Sequence, residues 1–302
     1  MPKLPAVLVL ALLPLAAAVR AQGACSTFDT GPEGWTSTPG GGNQTWRTTG
    51  GNGGGFLEFE DLVSGPYTAF APAAFLGDLS AFDGGEVAVD LVLIASASGT
   101  QRSEFGQLTI QGPAGLATAD LVPGLPPMSW SHYVLSFDAA AFGVSQALWT
   151  SILQNVTSVS MDVDSYNSFG DKVGLDNFCL CPPASCTFRN GSGINPAHFF
   201  CTGMPVLGTN WNSAIITSPQ TTATAVGITF AAAQLPMFGG EILIALTPPP
   251  VLMFGLGTHT FAVPNVPGAC GLAVTSQGFR LDTVGGASQL TLLNALDLVF
   301  GP

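Results

Sequence analysis

Apolar and polar residues alternate along short stretches of this chain, and glycine or proline separates one stretch from the next. The run Phe56-Leu57-Glu58-Phe59-Glu60 shows the pattern clearly. Successive side chains of a β-strand point to opposite faces, so a period of two predicts strands with one buried face. In the first part of the chain we expect strands at 56–60, 85–95, 105–111, 132–137, 156–163 and 173–180. In the second part we expect them at 186–189, 210–217, 224–230, 241–246, 258–263, 271–281 and 296–300.

One stretch departs from this alternation. Within residues 142–155, the apolar residues Val144, Leu148, Ile152 and Leu153 recur near helical spacing. This spacing predicts a single amphipathic helix, whose apolar face we expect to cap a β-sandwich. The predicted fold class is therefore all-β.

The segment Cys181-Pro182-Pro183-Ala184-Ser185-Cys186 separates the two groups of strands. Proline fixes φ and has no amide hydrogen to give to a ladder, so a strand should end here. A chain of 302 residues is long enough for two domains of about 100–200 residues each. We therefore predict a first domain at residues 22–181 and a second, smaller one at 182–302.

The first 21 residues have the pattern of an export signal. Lys3 supplies a positive start, an apolar stretch follows, and Val19-Arg20-Ala21 fits a small-x-small cleavage site. The alternative is a transmembrane anchor, but the stretch contains Pro5 and Pro14 and is shorter than the roughly 20 residues that a span needs. We predict a secreted protein without a membrane span.

Composition favours folded domains and argues against two classes of partner. Glycine (38) and proline (23) are abundant and only 9% of residues are charged, but the apolar share of 47% can fill a core. Seven basic residues against 19 acidic ones give a net charge of −12. Nucleic acids and anionic lipids attract clustered Lys and Arg, so neither is expected as a partner.

Residues 61–90 combine several short motifs in a fixed order. The turn Gly65-Pro66-Tyr67 leads into Ala71-Pro72, then Phe75-Leu76-Gly77-Asp78 and finally Gly84-Gly85. This order resembles the laminin IV type A domain, also called laminin B, in the versions carried by secreted bacterial proteins.

Two further segments extend the resemblance over residues 28–181. Gly51-Asn52-Gly53-Gly54-Gly55 is similar to the turn that precedes the same strand in those domains. Gly174-Leu175-Asp176-Asn177-Phe178 is similar to the closing strand of laminin-B and galactose-binding-like domains. The resemblance implies a galactose-binding-like jelly-roll β-sandwich for the first domain.

The motifs of the second half are RNGSG at 189–193, PVLGT at 205–209 and TSQGF at 275–279. They resemble the C-terminal modules that recur in large secreted bacterial proteins, and this resemblance implies no activity. The spacing of the short strands predicts an immunoglobulin-like β-sandwich of about 100–115 residues.

All six cysteines should be paired in an exported chain. The resemblance implies a Cys25–Cys179 bridge, because the first and last strands of galactose-binding-like sandwiches are neighbours. Other connectivities remain open, and the set would be completed by Cys181–Cys186 and Cys201–Cys270. A zinc site made of Cys179, Cys181 and Cys186 is disfavoured, because no histidine lies near them in the sequence.

Calcium is the ion we expect the acidic residues of the first domain to bind, because it prefers carboxylate and carbonyl oxygens. The resemblance implies that Asp29 and Asp176 lie close together, and similar sandwiches hold a structural calcium there. Asp162, Asp164 and Asp171 also lie near the final strand in sequence. We predict Asp29 and Asp176 as ligands of a structural calcium; the alternative is plain surface acidity.

Motifs for catalysis are lacking. His132, His198 and His259 are widely separated, and the chain has neither H-E-x-x-H nor G-x-S-x-G. Glu58 and Glu60 share one face of a strand, whereas glycosidase carboxylates face each other across a sugar, about 5–10 Å apart.

Aromatic residues are candidates for a sugar-stacking platform, since a flat ring can pack on the apolar face of a sugar. The candidates are Trp35, Trp46, Tyr67, Trp130 and Tyr133. We expect Trp35 to pack inside and Trp46, in a glycine-rich tract, to be exposed. Trp46 and Tyr67 are therefore the predicted ligand-binding residues.

Together these features predict a secreted, non-enzymatic protein that binds, adheres or has a structural role outside the cell. Its partner would be an extracellular polymer, a glycan or a cell-surface component. The alternatives are a carbohydrate-binding module that uses loop aromatics and a weak glycoside hydrolase. Exposed aromatic rings would favour the module, and acidic pairs facing a shared cleft would favour the hydrolase.

Overall fold

The structure is a computed structural model that describes residues 23–63 and 65–302. The predicted export signal at residues 1–21 lies outside the described residues. In the described ranges the chain forms 21 strands and one α-helix, so the predicted all-β class is confirmed. No helix of these ranges is long and apolar enough to cross a membrane.

The first half contains eleven strands and the helix α1 (Gln146–Leu153). The strands are β1 (Ala24–Ser26), β2 (Thr36–Ser37), β3 (Gly42–Arg47), β4 (Phe56–Asp61), β5 (Thr68–Phe70), β6 (Gly85–Ala95), β7 (Gln107–Gly112), β8 (Gly115–Asp120), β9 (Ser131–Phe137), β10 (Ser158–Asp162) and β11 (Lys172–Cys181). All six strands predicted for this half are present, with ends that differ by a few residues.

Two antiparallel sheets pack face to face in this half. The first sheet has the order β3-β4-β11-β6-β9, with β1 beside the end of β11. The second sheet has the order β2-β5-β10-β7-β8. Alternate side chains of the strands fill one core, for example Leu57 and Phe59 of β4 and Val87 and Val89 of β6. The helix contributes Trp149 to the same core and packs against β7 and β8, as its apolar spacing predicted.

The second half contains ten strands, where seven were predicted. They are β12 (Ser185–Arg189), β13 (Phe199–Cys201), β14 (Asn210–Ile215), β15 (Thr221–Thr229), β16 (Ala232–Met237), β17 (Gly240–Ile244), β18 (Val251–Gly255), β19 (Thr258–Ala262), β20 (Ala273–Val284) and β21 (Ala287–Val299). A five-stranded sheet, β12-β21-β20-β15-β18, packs against the three-stranded sheet β13-β14-β19 around Phe199, Trp211 and Leu293. Strands β16 and β17 form a separate hairpin.

The six cysteines form three disulfides, and one pairing is the one implied by the resemblance. Cys25–Cys179 joins β1 to β11, and these two strands are hydrogen-bonded neighbours. The other two expected pairs are wrong. We call the observed Cys181–Cys270 pair the cross-half bridge and the Cys186–Cys201 pair the local bridge.

The physical reason for the exchange is the path of the chain after Cys181. Cys181 pairs with Glu86 of β6, whereas Cys186 pairs with Leu298 of β21, so the two cysteines lie in different sheets. The cross-half bridge instead fastens β11 to the turn that ends at Cys270. All cysteines are paired, which removes the zinc alternative. The domain division between residues 181 and 182 stays a prediction.

Candidate functional site

The first sheet presents a second, outward face opposite the core. On β4, Leu57 and Phe59 point into the core, so Phe56 and Glu58 point outward. Gly174 of β11 lies on the same outward face, because a Cβ at this position would contact Phe56 and Val92. The outward face is formed by the neighbouring strands β3, β4, β11 and β6.

A cleft with a volume of about 510 Å³ lies on this face. It is lined by Arg47, Thr49, Gly50, Phe56, Glu58, Val92, Leu93, Ile94, Met128, Ser129 and Trp130. We call it the outer-face cleft. Its size falls within the range of roughly 300–1,000 Å³ that is usual for ligand sites.

Trp130 is the central aromatic side chain of the outer-face cleft. It comes directly before β9 and its Nε1 donates a hydrogen bond to the Gly50 carbonyl oxygen at 2.8 Å. Its ring meets Phe56 edge-on, with centroids 5.3 Å apart. A Cβ at Gly174 would lie only 2.9 Å from Trp130 Cη2, so a glycine is needed where the indole crosses β11. Trp130 remains half-buried and in contact with solvent.

An ion pair forms the polar side of the cleft. Arg47 Nη2 lies 2.7 Å from Glu58 Oε1, and Arg47 Nε donates to Oε2 at 3.1 Å. The hydrogen bond and the charge of Glu58 raise the pKa of Arg47. The paired groups therefore offer a guanidinium donor and carboxylate acceptors with no net charge.

The two glutamates considered for glycoside hydrolysis do not form an acid–base pair in the cleft. Glu58 is the carboxylate among the cleft residues, and it is held by Arg47. Glu60 accepts hydrogen bonds from Lys172 and Asn43, which lower its pKa. A glycosidase acid needs a raised pKa and a partner carboxylate across the sugar. This part of the described chain therefore lacks the arrangement that hydrolysis requires.

The two aromatic residues predicted to bind a ligand do not line the cleft. Tyr67 is fully buried, and its hydroxyl donates to Ser37 Oγ at 3.1 Å; burial raises the pKa of this phenol. Its predicted stacking role is wrong, because a buried ring has no face to offer. Trp46 lies on β3 rather than in a loop, packs half-buried against the core and donates to the Phe28 carbonyl oxygen at 2.8 Å. Trp35 is buried, as expected.

The predicted calcium ligands Asp29 and Asp176 are brought close enough for the charge of one to act on the other. Asp176 Oδ2 accepts from the Asn52 amide at 2.7 Å and Oδ1 accepts from the Asn177 amide at 2.8 Å. Burial raises the pKa of Asp176 to about 6, and Asp90 and Asp29 add to this shift. The calcium ion itself stays a prediction.

The three histidines lie in separate places. His132 is exposed, with Nδ1 2.6 Å from Asp90 Oδ1. His198 lies beside Arg280, and His259 is buried beside Thr224. They share no site, in agreement with their spacing in the sequence.

Comparisons with known proteins add likenesses but no family. No family model matches the chain, and no curated protein sequence matches it. Among solved structures it is similar to the L4b domain of human laminin alpha-2, with 12% identity, a TM-score of 0.33 and coverage of 42% of this chain and 80% of that one. It is also similar to the family 11 carbohydrate-binding module of a cellulosomal cellulase of Clostridium thermocellum, with 14% identity, a TM-score of 0.35 and coverage of 54% and 97%.

A third likeness is to an exo-β-agarase, with 16% identity and a TM-score of 0.38, covering 52% of this chain and 24% of that one. Likenesses at these TM-scores carry no argument about function. The all-β fold rests on the strand pairing described above, and the function must be argued from the outer-face cleft.

Proposed function

We propose that this chain is a non-enzymatic extracellular binding protein and that its outer-face cleft binds a neutral carbohydrate polymer. The observation that carries the proposal is the half-exposed indole of Trp130, which lies over Gly174 in a cleft that also contains the Arg47–Glu58 pair. An adhesive or structural role is compatible with the same binding event.

The chemistry of the cleft matches that of a sugar. One face of a pyranose is a row of C–H groups that packs on an aromatic ring, and its edge is a row of hydroxyls that both donate and accept hydrogen bonds. Trp130 and Phe56 supply the apolar surface, while Arg47 and Glu58 supply donors and acceptors. The fixed positions of these groups reduce the entropy that binding must lose.

Charge favours a neutral ligand over a polyanion. The one basic and the one acidic side chain in the cleft neutralise each other. The whole chain carries a formal charge of −12, which repels nucleic acids and sulfated glycans at long range. An uncharged polysaccharide is not repelled by the net charge of the chain and needs no charged partner in the cleft.

A second candidate, attachment to a protein surface, is favoured by apolar side chains of the second half. Phe230, Phe238 and Phe254 are 69%, 69% and 77% exposed. Exposed aromatic side chains are common in surfaces that contact other proteins. The second half would then anchor the chain while the first half binds the glycan.

A glycan array probed with the protein lacking residues 1–21, followed by calorimetric titration of each polysaccharide it retains, tests the proposal. Trp130→Ala should weaken binding about tenfold or more, because a central aromatic anchor contributes roughly 2 kcal/mol. Phe169→Ala is the matched control, since Phe169 is 68% exposed but does not line the cleft.

Equal affinities for Trp130→Ala and the original chain would remove the cleft from consideration. Release of shorter saccharides during incubation would show catalysis and would contradict the non-enzymatic assignment. Attachment to a protein-coated surface that survives Trp130→Ala but is lost when Phe230, Phe238 and Phe254 are replaced by alanine would favour the second candidate.

A further inference from the structure

Three aspartates meet where two connections pass from one sheet of the first half to the other. Asp61 is the last residue of β4, Asp164 follows β10, and Asp171 directly precedes β11. Strands β4 and β11 belong to the first sheet, whereas β5 and β10 belong to the second. The connections β4–β5 and β10–β11 therefore run side by side at this end, and the Asp61 amide donates to the Asp171 carbonyl oxygen at 3.1 Å.

These carboxylates are buried and close together. The exposure of Asp61, Asp164 and Asp171 is 2%, 1% and 1%. One carboxylate oxygen of each lies within 4.8 Å of one from each of the others. Buried charges of the same sign are costly unless something neutralises them, so this cluster requires a counter-charge.

Each carboxylate has one oxygen that the protein holds. Asp61 Oδ1 accepts from the Val63 amide at 3.2 Å, and Asp171 Oδ2 accepts from the amide and the hydroxyl of Ser165. Asp164 Oδ2 lies 3.3 Å from Arg102 Nε. Hydrogen bonds thus orient Asp61 and Asp171, and an ion pair holds Asp164.

The second oxygen of each carboxylate has no hydrogen-bond partner. The three atoms are Asp61 Oδ2, Asp164 Oδ1 and Asp171 Oδ1, and all are buried. Buried polar atoms nearly always have a partner, so three unpartnered oxygens in one cluster indicate a ligand-binding site. A cation can be coordinated by all three oxygens at once, whereas one water molecule can donate hydrogen bonds to only two of them.

The charges give the valence of that cation. Arg102 is the basic side chain paired with the cluster in the described part of the chain. Arg102 also lies 3.9 Å from Glu104. With all three carboxylates ionised, at least two negative charges therefore remain, which suits a divalent ion better than a monovalent one. All donors are oxygens, which suits calcium better than zinc or copper. Calcium also accepts flexible coordination, whereas magnesium demands a near-octahedral shell and keeps several of its waters.

We propose that Asp61, Asp164 and Asp171 bind one calcium ion through their unpartnered oxygens, and that this ion fastens the two connections to each other. The site is separate from Asp29 and Asp176, because Asp171 and Asp176 are about 16 Å apart along an extended strand. It does not depend on what the outer-face cleft binds.

Calorimetric titration and thermal unfolding of the chelator-treated protein lacking residues 1–21 test this site directly. Calcium at a hundred times its dissociation constant should increase the ratio of folded to unfolded protein about a hundredfold. Asp164→Asn and Asp61→Asn should each lose this response. Each should also melt at a higher temperature than the original chain in excess chelator, because each removes one of the buried negative charges.

Asp29→Asn is the matched control, and it should keep calcium binding at the proposed site. The proposal is overturned if the original chain binds no calcium at millimolar concentration or responds to magnesium alone. It is also overturned if Asp164→Asn and Asp61→Asn keep the full response, or if Asp29→Asn alone abolishes it. The higher melting temperature in chelator distinguishes a lost ligand from a misfolded variant.

Discussion

Gly174→Ala is the smallest change that tests the packing of the outer-face cleft. The added Cβ would lie 2.7 Å from Val92 Cγ1, 2.9 Å from Trp130 Cη2 and 3.2 Å from Phe56 Cδ2. Val92 and Phe56 are buried in the sheet face, whereas Trp130 is half-buried and joined to the sheet by one hydrogen bond to Gly50. We therefore expect the indole to move away from β11.

The expected cost follows from opposing terms. Overpacking by one methyl group costs about 1–3 kcal/mol. Replacing a glycine within a strand by alanine stabilises the fold by about 0.5–1 kcal/mol, because alanine loses less conformational entropy on folding. The net loss in the free energy of unfolding should therefore be about 1 kcal/mol. Affinity for a glycan should fall together with it, because the displaced indole no longer lies across the cleft floor.

A double-mutant cycle isolates the part of this cost that belongs to Trp130. In the Trp130→Ala background the clash with Cη2 is absent but the clash with Val92 Cγ1 remains. Gly174→Ala should therefore cost less than in the original chain without becoming neutral, with a coupling of about 0.5–1 kcal/mol between the sites. Urea unfolding followed by circular dichroism gives each free energy. Gly31→Ala is the control, since a Cβ there meets no atom within 4 Å. An equal cost of Gly174→Ala in both backgrounds would refute the contact between Trp130 and Gly174.

Two further predictions concern the second half. Replacing both cysteines of the cross-half bridge with alanine should lower the free energy of unfolding by about 4–5 kcal/mol, against about 3 kcal/mol for the local bridge, because the sequence separations are 89 and 15. Urea unfolding measures both losses, and a larger loss for the local bridge would contradict this prediction. Burial lowers the pKa of His259 from its usual 6.5, so its contribution to stability is complete above that pH and is lost as the pH falls below it. His259→Gln should flatten this part of the dependence of the melting temperature on pH, and parallel curves for the two proteins would disprove the assignment.

Strands with strong alternation could be predicted from the sequence, and weakly apolar ones could not. The bounds of β6 (Gly85–Ala95) agree with the prediction, because its apolar residues fill one face of a central strand. Strands β3 (Gly42–Arg47) and β8 (Gly115–Asp120) were missed. Their residues are mostly small or polar, and pairing with β4 and β7 supplies the order that side-chain burial does not.

The candidate site was harder to predict, because its parts come from distant segments. Among the five aromatic candidates, which include Trp130, local sequence alone favours Trp46 and Tyr67. What distinguishes Trp130 is its contact with Phe56 of β4 and Gly174 of β11, which only the order of the strands brings together. The exchange of disulfide partners has the same origin, since spacing along the chain does not reveal which sheet a cysteine joins.

The register between β4 and β11 connects the outer-face cleft to the three buried aspartates. Glu60 pairs with Lys172 and Glu58 pairs with Gly174, and the next residues beyond this ladder are Asp61 and Asp171. A slip of one residue would turn Glu58 into the core and remove it from Arg47, because neighbouring strand positions face opposite ways. A cation held between Asp61 and Asp171 would fix the two strands at the end of this ladder. The proposed calcium would therefore stabilise the register that places Glu58 and Gly174 together on the outer face.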